Sequence, residues 1–350
     1  MAKPKALPAW IMSKVSVITP VYNAVQYVCE AVESALAQPQ TGEVLLIDDG
    51  STDGSLAACN ALTARFEKVR LLHHPAGENR GPAASRNVGI KSAECRYIAF
   101  LDADDYYLPG RFDRAVPILE SNPAVDGVYE AVGTRFETGE MQAWWEGERG
   151  FGALTGLSEA VPPDELLATL CGKGRAKGWI GTLGVTVRRS LVDRTGLFMP
   201  ELRMGEDTAM WLKMAAVGRL EAGSLDSPVA VRRLHGENSI FKNQGKVQEE
   251  YTLRARSHVF EWALEQGLKA EILQALWHHH FAFQRNQRIA DRRLRRLGLR
   301  DLPWLVGIAS EVPIARSHPK YWQCVREALY LASAKTAVKR GLRRMSLKSN

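Results

Sequence analysis

The sequence lacks several features that would each indicate a particular class of protein. Its longest charge-free stretch, from Val15 to Cys29, contains Pro20 and Asn23 and is shorter than the roughly 18 to 20 apolar residues of a membrane-spanning helix. No long apolar segment with a small-residue cleavage site follows the first residues, so we expect no secretory signal. The five cysteines are odd in number and lack zinc-ligand spacing, which favours a reducing compartment over a disulfide framework. Together these absences predict a cytoplasmic protein.

Two phosphate-binding motifs are also missing. The sequence contains no Gly-x-x-x-x-Gly-Lys-Ser/Thr loop and no Gly-x-Gly-x-x-Gly after its first apolar run. Their absence disfavours a Walker-type nucleoside triphosphatase and a dinucleotide-dependent dehydrogenase. A nucleotide bound by this chain would therefore need another source of positive charge for its phosphates, such as a metal ion.

The charge of the chain is unevenly distributed. The 350 residues are 45% hydrophobic and 24% charged, an ordinary globular composition with a length typical of about two domains. The formal net charge is +7, but residues 241–350 hold 21 Lys and Arg against 9 Asp and Glu, whereas residues 1–240 hold 25 against 30. An acidic front part and a basic back part indicate different tasks.

Apolar runs and helical periodicities alternate over the first hundred residues. The periodicity of Val25, Val28, Val32 and Leu36 predicts a helix, which Asn23 is placed to cap. Val44–Ile47 is apolar on both faces, as in a strand of a parallel sheet covered by helices. The alternation predicts an α/β fold with a mostly parallel sheet; the expected strands are Val15–Thr19, Val44–Ile47, Val69–Leu72 and Tyr97–Leu101, with a further helix at Ala83–Lys91.

Acidic residues follow two of these predicted strands. Asp48 and Asp49 come after the second, and Asp102 and Asp104 after the fourth. Ligands of such sheets bind at the carboxyl ends of the strands, and two carboxylates one residue apart suit a hard cation. The alternative is that these acids form turns and cap helices. For Asp53, which directly precedes a predicted helix, helix capping and ligand binding both stay open.

The motifs at these positions resemble those of family 2 glycosyltransferases with the GT-A fold. The resemblance covers about residues 14–240 and rests on five segments in the family's order: residues 15–23, residues 30–53 (Glu30, Ser34 and Gln38, then Leu46–Asp53), Asn79–Ile90, Phe100–Asp105, and Met204–Asp207 followed by Trp211. It implies a GT-A catalytic domain over residues 1–240, with a nucleotide-binding sheet flanked by helices. Residues 241–350 would form a basic, mainly helical extension.

The resemblance assigns expected roles to individual residues. Asp48 or Asp49 would accept hydrogen bonds from the nucleotide base, and Asp102-x-Asp104 corresponds to the family's DxD motif, with Asp102 near the ribose and Asp104 on Mg²⁺ or Mn²⁺. His235 would complete the metal site, for which Asp104, Asp102 and His235 are the expected residues, or contact the phosphates. Arg86 would lie near the phosphates or pair with an acid. The full set expected to bind the nucleotide sugar, which in this family usually carries uridine, is Pro20, Tyr22, Asn23, Asp48, Asp49, Asn79, Arg86 and Asp102.

The same resemblance implies a catalytic base. Asp207, with Glu206 beside it, would take the proton of a sugar hydroxyl as that hydroxyl attacks the anomeric carbon, giving inversion by single displacement. The acceptor would be a glycan, a polysaccharide or a lipid-linked saccharide. An alternative role for Asp207 is to cap the helix predicted from Thr208. Trp179–Val187 is interpreted as a strand near the acceptor, and Trp144 and Trp145 as packing or sugar-stacking residues.

The basic extension leaves three hypotheses open. Seven arginines lie between Arg285 and Arg300, interleaved with leucine and isoleucine. Through residues 285–345 this region could lie on an anionic membrane surface, bind nucleic acid, or form a solvated helical bundle. A glycosyltransferase with a lipid-linked acceptor favours the membrane over nucleic acid. Two rival functions for the whole chain are a non-catalytic nucleotide-sugar or glycan-binding protein, and a nucleic-acid-binding protein led by this extension.

Overall fold

The fold of the first part of the chain is built on a central seven-stranded sheet. A computed structural model describes residues 14–149, 152–238, 241, 246–269, 271–277 and 279. The chain divides into two compact units, residues 1–251 and 252–350. The site lies in the first unit, and the predicted domain boundary near residue 240 stays a prediction.

Strands and helices alternate along the first unit as the sequence predicts. The strands are β1 (Val15–Val21), β2 (Thr41–Asp48), β3 (Val69–His73), β4 (Tyr97–Phe100), β5 (Tyr106–Tyr107), β6 (Gly127–Tyr129), β7 (Val132–Phe136), β8 (Leu154–Thr155), β9 (Val185–Arg188), β10 (Leu220–Ala222) and β11 (Ala230–Leu234). The helices are α1 (Val28–Leu36), α2 (Ser55–Arg65), α3 (Pro82–Ser92), α4 (Ala115–Ser121), α5 (Gly139–Arg149), α6 (Pro163–Leu170), α7 (Arg189–Thr195) and α8 (Glu206–Val217). A further helix, α9 (Lys246–Glu265), begins in the first unit and continues into the second.

The central sheet has the order β10-β6-β9-β4-β1-β2-β3. Strands β4, β1, β2 and β3 are parallel to one another, and β9 is inserted antiparallel between β4 and β6. Val17, Leu46 and Ala99 lie at 0% exposure because helices cover the sheet. The predicted α/β architecture with a mostly parallel, helix-flanked sheet is therefore confirmed.

One local prediction about the first helix is wrong. Helix α1 begins at Val28, and Asn23 does not cap it. Asn23 instead adopts a positive φ of 49°, and its side-chain oxygen accepts a hydrogen bond from the backbone N–H of Thr52 at 2.8 Å. A short turn between Ala24 and Tyr27 separates it from the helix. The side chain thus connects the loop after β1 to the loop after β2, a partner that local periodicity cannot reveal.

A second sheet, in the order β5-β11-β7-β8, lies after the central strands in sequence. Strand β11 runs antiparallel to β5, with Val231 opposite Tyr106. Because β11 continues past this pair in the direction opposite to β5, its end approaches the residues that precede β5. The second sheet therefore brings His235 to Asp104, although 131 positions separate them in the sequence.

The predicted strand at Trp179–Val187 is shorter than expected. Residues Thr182–Gly184 form a tight 3₁₀ turn, and only Val185–Arg188 are extended, as β9. A Cβ atom at Gly184 would lie 2.2 Å from the carbonyl oxygen of Glu130, so this close approach requires glycine. The turn is thus pressed against the segment that contains Glu130.

A buried ion pair holds this turn in place. The guanidinium of Arg111, at 0% exposure, donates to Glu130 Oε2 at 2.8 Å and to the carbonyl oxygens of Leu183 and Val185 at 2.9 and 3.1 Å. Glu130 is 2% exposed. Each of the three guanidinium nitrogens therefore donates to an acceptor within the core.

We expect Arg111→Met to lower the free energy of unfolding by about 3 to 5 kcal/mol, because it leaves the Glu130 carboxylate buried without its counter-ion. Arg65→Met is the matched control, since the Arg65–Glu33 pair is 65% and 48% exposed and such pairs contribute at most about 1 kcal/mol. Urea unfolding of the full chain measures both variants. Equal losses in the two would contradict the assigned importance of the buried pair.

The basic segment of residues 285–345 lies outside the described residues, so the hypotheses about it stay predictions. Within the part of the chain that the structure describes, no helix combines the length and apolarity needed to span a bilayer.

Candidate active site

The candidate site lies where β1, β2 and β4 end. These strands are neighbours and parallel, so the loops that follow them meet at one edge of the sheet. The loops contain Tyr22 and Asn23 after β1, Asp49 after β2, and Asp102 after β4. The acids that the sequence places after two strands therefore share one rim.

Asp49 organises the loop that leads into α3. Its carboxylate accepts hydrogen bonds from the backbone N–H groups of Arg80 and Gly81 at 2.7 and 2.9 Å, and it lies 3.3 Å from His74 Nε2. Asp48 is also buried, but its Oδ1 has no hydrogen-bond partner in the described structure, while Oδ2 accepts a bond from Gly50 N–H. Asp48 and Asp49 are the two acids predicted to accept a hydrogen bond from the nucleotide base. Of these two, Asp48 has a buried carboxylate oxygen without a hydrogen-bond partner among the described residues.

The other residues predicted to bind the nucleotide have different surroundings. Tyr22 is 53% exposed, as expected of a ring that offers a face to a ligand, and Pro20 lies within β1 opposite Ile47. Asn79 accepts a hydrogen bond from Arg203 at 3.0 Å. Asp53 accepts hydrogen bonds from Ser55, the first residue of α2, which supports its interpretation as a helix-entry residue.

Arg86 links the two halves of the site. It projects from α3, is 4% exposed, and donates to Asp102 Oδ1 at 2.7 Å and to Glu206 Oε1 at 2.8 Å. Of the two roles predicted for Arg86, the structure therefore has it paired with acids. Although burial lowers the pKa of Arg86, the neighbouring carboxylates of Asp102 and Glu206 outweigh it and raise the pKa, so the guanidinium stays charged.

Glu206 is buried beside this guanidinium at the start of α8. Burial, together with the charge of Asp207, raises the pKa of Glu206 to about 7 despite the opposing effect of Arg86. Because Glu206 is 8% exposed and its Oε1 accepts a hydrogen bond from Arg86, Glu206 is placed to orient Arg86 rather than to meet an acceptor. Asp207, its neighbour, is the more accessible of the two acids.

Asp207 is not the N-cap of its helix, since Gly205 occupies that position. Its Oδ1 accepts a hydrogen bond from the backbone N–H of Thr208 at 2.6 Å, and its Oδ2 lies 3.3 Å from the hydroxyl of Thr182. Trp211, one turn along α8, is buried against Phe100 and Phe198. The helix start is therefore anchored by packing, with the carboxylate at its accessible end.

Asp104 and His235 form a second polar cluster. His235 Nε2 lies 3.1 Å from Asp104 Oδ2, and the amide of Asn238 donates to the same oxygen at 3.0 Å. The hydrogen bond to Asp104 raises the pKa of His235, with burial opposing it. Asp105, the next residue along the chain, is buried. Burial raises the pKa of Asp105 well above the usual range, and the nearby charges of Asp104 and Asp102 raise it further.

The donor atoms of this cluster suit a divalent cation in part. A carboxylate oxygen and an imidazole nitrogen lie side by side, both being common ligands of Mn²⁺. Within the described residues, however, no group of three or more His, Cys, Asp and Glu side chains could hold an ion. Asp104 and His235 therefore fit a cation whose remaining ligands come from a bound phosphate or from water.

Several contributors to this cluster have no role in the sequence-based prediction. Tyr27 stacks on the His235 ring with centroids 5.1 Å apart, and Arg233 donates to the carbonyl oxygen of Asp104 at 2.9 Å while pairing with Glu30. Asn238 lies three residues after His235, the residue that the resemblance implies as a metal or phosphate contact. That spacing is the one signal in the sequence that could have indicated Asn238.

The tandem tryptophans do not form a joint platform. Trp145 is 1% exposed and packs between Phe136 and Trp179, whereas Trp144 packs against Phe241. Trp145 is therefore a packing residue, and the prediction of sugar stacking does not apply to it.

Comparison with known sequences identifies related proteins. Residues 16–160 match the family model described as "Glycosyl transferase family 2". An uncharacterized glycosyltransferase of Rickettsia felis is 29% identical over 247 residues, which are 67% of this chain and 35% of that protein. The succinoglycan biosynthesis protein ExoU of Rhizobium meliloti is 33% identical over 215 residues, 58% of this chain and 57% of ExoU. The predicted resemblance to family 2 glycosyltransferases is thus confirmed over residues 16–160, and the chain spans about a third of the length of the Rickettsia relative.

Solved structures share the fold. The crystal structure of S. aureus TarS 1-349 in complex with UDP-GlcNAc has a TM-score of 0.60 and 21% identity, covering 92% of this chain and 88% of that one. The UDP complex of the same protein has a TM-score of 0.57. At this identity the likeness establishes the fold, which is the GT-A fold.

Proposed function

We propose that this chain is an inverting glycosyltransferase that transfers a sugar from a nucleoside-diphosphate sugar to an acceptor hydroxyl with the help of Mg²⁺ or Mn²⁺. The observation that carries the proposal is the buried bridge from Asp102 through Arg86 to Glu206. It joins the acid after β4 to the acids at the start of α8, which supports the assignment of the donor-side and acceptor-side motifs to one site. The family match over residues 16–160 supports the same reaction class.

The donor would lie along the rim formed by the loops after β1, β2 and β4. Tyr22 offers an exposed ring for stacking. Asp48 or Asp49 would accept a hydrogen bond from an N–H of the nucleotide base. Asp104 and His235 would hold the cation. When bound, that cation neutralises the diphosphate and makes it a better leaving group.

Asp207 would act as the general base. As the acceptor hydroxyl attacks the anomeric carbon, its proton passes to the Asp207 carboxylate, the new C–O bond forms, and the bond from the anomeric carbon to the diphosphate oxygen breaks. The electron pair of that bond leaves with the nucleoside diphosphate. Attack from the face opposite the leaving group inverts the configuration of the sugar carbon.

The donor and acceptor are proposed at the level of chemical class. The complex of S. aureus TarS with UDP-GlcNAc makes a uridine diphosphate sugar the first donor to test. The name of ExoU, a succinoglycan biosynthesis protein, favours a polysaccharide or lipid-linked saccharide as acceptor. The membrane surface predicted for residues 285–345 stays a sequence-based prediction, as does the cytoplasmic location.

The proposal is tested with a panel of nucleoside diphosphates and their sugars, with and without Mn²⁺. We expect the nucleoside diphosphates of one nucleobase to raise the melting temperature of the full chain in the presence of Mn²⁺, because a ligand that binds only the folded state stabilises it. The sugar of a nucleoside-diphosphate sugar with that nucleobase should be transferred or slowly hydrolysed, which releases the nucleoside diphosphate.

The other outcomes separate the alternatives. Binding without any turnover would favour a non-catalytic nucleotide-sugar or glycan-binding protein. No stabilisation by any member of the panel, with salt-sensitive binding to RNA or DNA instead, would favour the nucleic-acid hypothesis and overturn the proposal.

A further inference from the structure

We propose that Thr182 is a positioning residue that orients the carboxylate of Asp207 toward the acceptor. This inference deepens the proposed function and rests on it for its kinetic readout. The 3₁₀ turn Thr182–Gly184 belongs to none of the motifs that carry the family resemblance. Thr182 is 2% exposed, and its hydroxyl lies 3.3 Å from Asp207 Oδ2.

The two oxygens of Asp207 are held from different parts of the fold. Oδ1 accepts hydrogen bonds from the backbone N–H and the hydroxyl of Thr208 at 2.6 and 3.3 Å, both within α8. Oδ2 has its contact with Thr182, which belongs to the turn before β9. Contacts within α8 move with the helix, whereas the contact from Thr182 sets the carboxylate relative to the sheet.

The turn that contains Thr182 is rigidly attached. Three consecutive carbonyl oxygens after Thr182 are bound by the buried ion pair or its backbone: those of Leu183 and Val185 by Arg111, and that of Gly184 by the N–H of Glu130 at 3.0 Å. A side chain at Gly184 would collide with the Glu130 backbone. The hydroxyl of Thr182 therefore projects from a segment that has little freedom to shift.

This attachment also relates the base to the donor side. Strand β9, which follows the turn, pairs with β4, where Ala99 lies opposite Thr186. Strand β4 in turn leads directly to Asp102 and Asp104. The turn thus holds Asp207 at a fixed position relative to Asp102 and Asp104. A reaction between two bound substrates requires such a fixed geometry.

Other charged groups near Asp207 do not replace this contact. Glu206 and Arg86 both interact with the charge of Asp207. The described side-chain hydrogen bonds of Arg86, however, are donated to Asp102 and Glu206. Thr182 is consequently the side chain outside α8 that donates to Asp207 among the described residues.

The test compares Thr182→Val with Thr182→Ser. Valine keeps the volume and removes the hydroxyl, whereas serine keeps the hydroxyl. With UDP-GlcNAc and Mn²⁺, or the panel donor with the highest turnover, we expect Thr182→Val to lower kcat by about tenfold, part of the rate that a positioned base supplies. KM for the donor should stay within about twofold, and Thr182→Ser should restore most of kcat.

Thr186→Val is the matched control. Thr186 is fully buried in β9 and its hydroxyl has no hydrogen-bond partner in the described structure, so its loss tests packing alone. A second readout needs no activity: the amide resonance of Thr208, bonded to Asp207 Oδ1, should shift in Thr182→Val and remain unchanged in Thr182→Ser and Thr186→Val.

The outcomes are distinguishable. Unchanged kcat and an unchanged Thr208 resonance in Thr182→Val would overturn the positioning role, as would a rise in KM at constant kcat. Full activity of Asp207→Asn would instead reject Asp207 as the base in the proposed function, while the Thr208 resonance would still decide whether Thr182 orients its carboxylate.

Discussion

Asp207→Asn is expected to lower the rate of sugar transfer by about 10²- to 10⁴-fold, the contribution typical of a positioned general base. The asparagine side chain keeps the shape and can still accept the hydrogen bonds from Thr208. It cannot take a proton from an acceptor hydroxyl. The loss should therefore appear in kcat, measured as nucleoside diphosphate released in the presence of acceptor.

Binding of the donor should survive this substitution. Asp207 contacts Thr182 and Thr208, and the acids after β2 and β4 are elsewhere on the rim. Stabilisation of the variant by UDP-GlcNAc, or by the donor that the panel identifies, should match that of the unaltered chain. A large loss of donor affinity with little change in kcat would contradict the role of a base.

Asp193→Asn is the matched control for this prediction. Asp193 is an exposed residue of α7, and the same change of charge there should leave kcat within about twofold, as for substitutions away from special features. Comparable losses in both variants would mean that net charge, rather than the position of Asp207, controls the rate.

Asp104→Asn is expected to weaken Mn²⁺ binding and lower turnover by about 100-fold or more, because even losing an outer partner of a metal ligand costs about 10- to 100-fold. The substitution replaces the carboxylate oxygen that faces His235 Nε2 and the Asn238 amide with a neutral amide. Neutral amides are weaker ligands for hard cations.

The measurement that distinguishes a metal ligand from a structural acid is the Mn²⁺ dependence itself. Calorimetry of Mn²⁺ with the nucleoside diphosphate should give a raised dissociation constant for Asp104→Asn and an unchanged one for Asp193→Asn. Turnover that is high without any divalent cation, and equal in the two variants, would show that Asp104 and His235 serve another purpose.

The composition and periodicity of the chain suffice for its framework. Apolar runs at Val44–Ile47 and near Tyr97 can be buried on both faces only in a sheet covered by helices, so the parallel core was predictable. The acids after these runs were predictable as neighbours for the same reason, because parallel strands deliver their carboxyl ends to one edge. The missing glycine-rich phosphate motifs also disfavour a Walker-type nucleoside triphosphatase and a dinucleotide-dependent dehydrogenase from the sequence alone.

The pairing inside the site was not predictable in this way. Arg86 was equally suited to a phosphate or to an acid until the structure placed it between Asp102 and Glu206. Asn23 was expected to cap α1, yet it binds the loop after β2. In both cases the partner is distant in sequence, and periodicity describes only neighbours within a few turns.

The sequence alone therefore determined the class of fold, the edge at which the acids gather and the family that this edge resembles, since these depend on local patterns of polarity. Only the tertiary structure decided which hydrogen-bonding partner each acid has: Asp49 the N–H groups before α3, Asp104 the His235 ring, and Asp207 the hydroxyl of Thr182. Hydrogen bonding and desolvation depend on distances in space, and those distances arise only when strands far apart in the chain have paired.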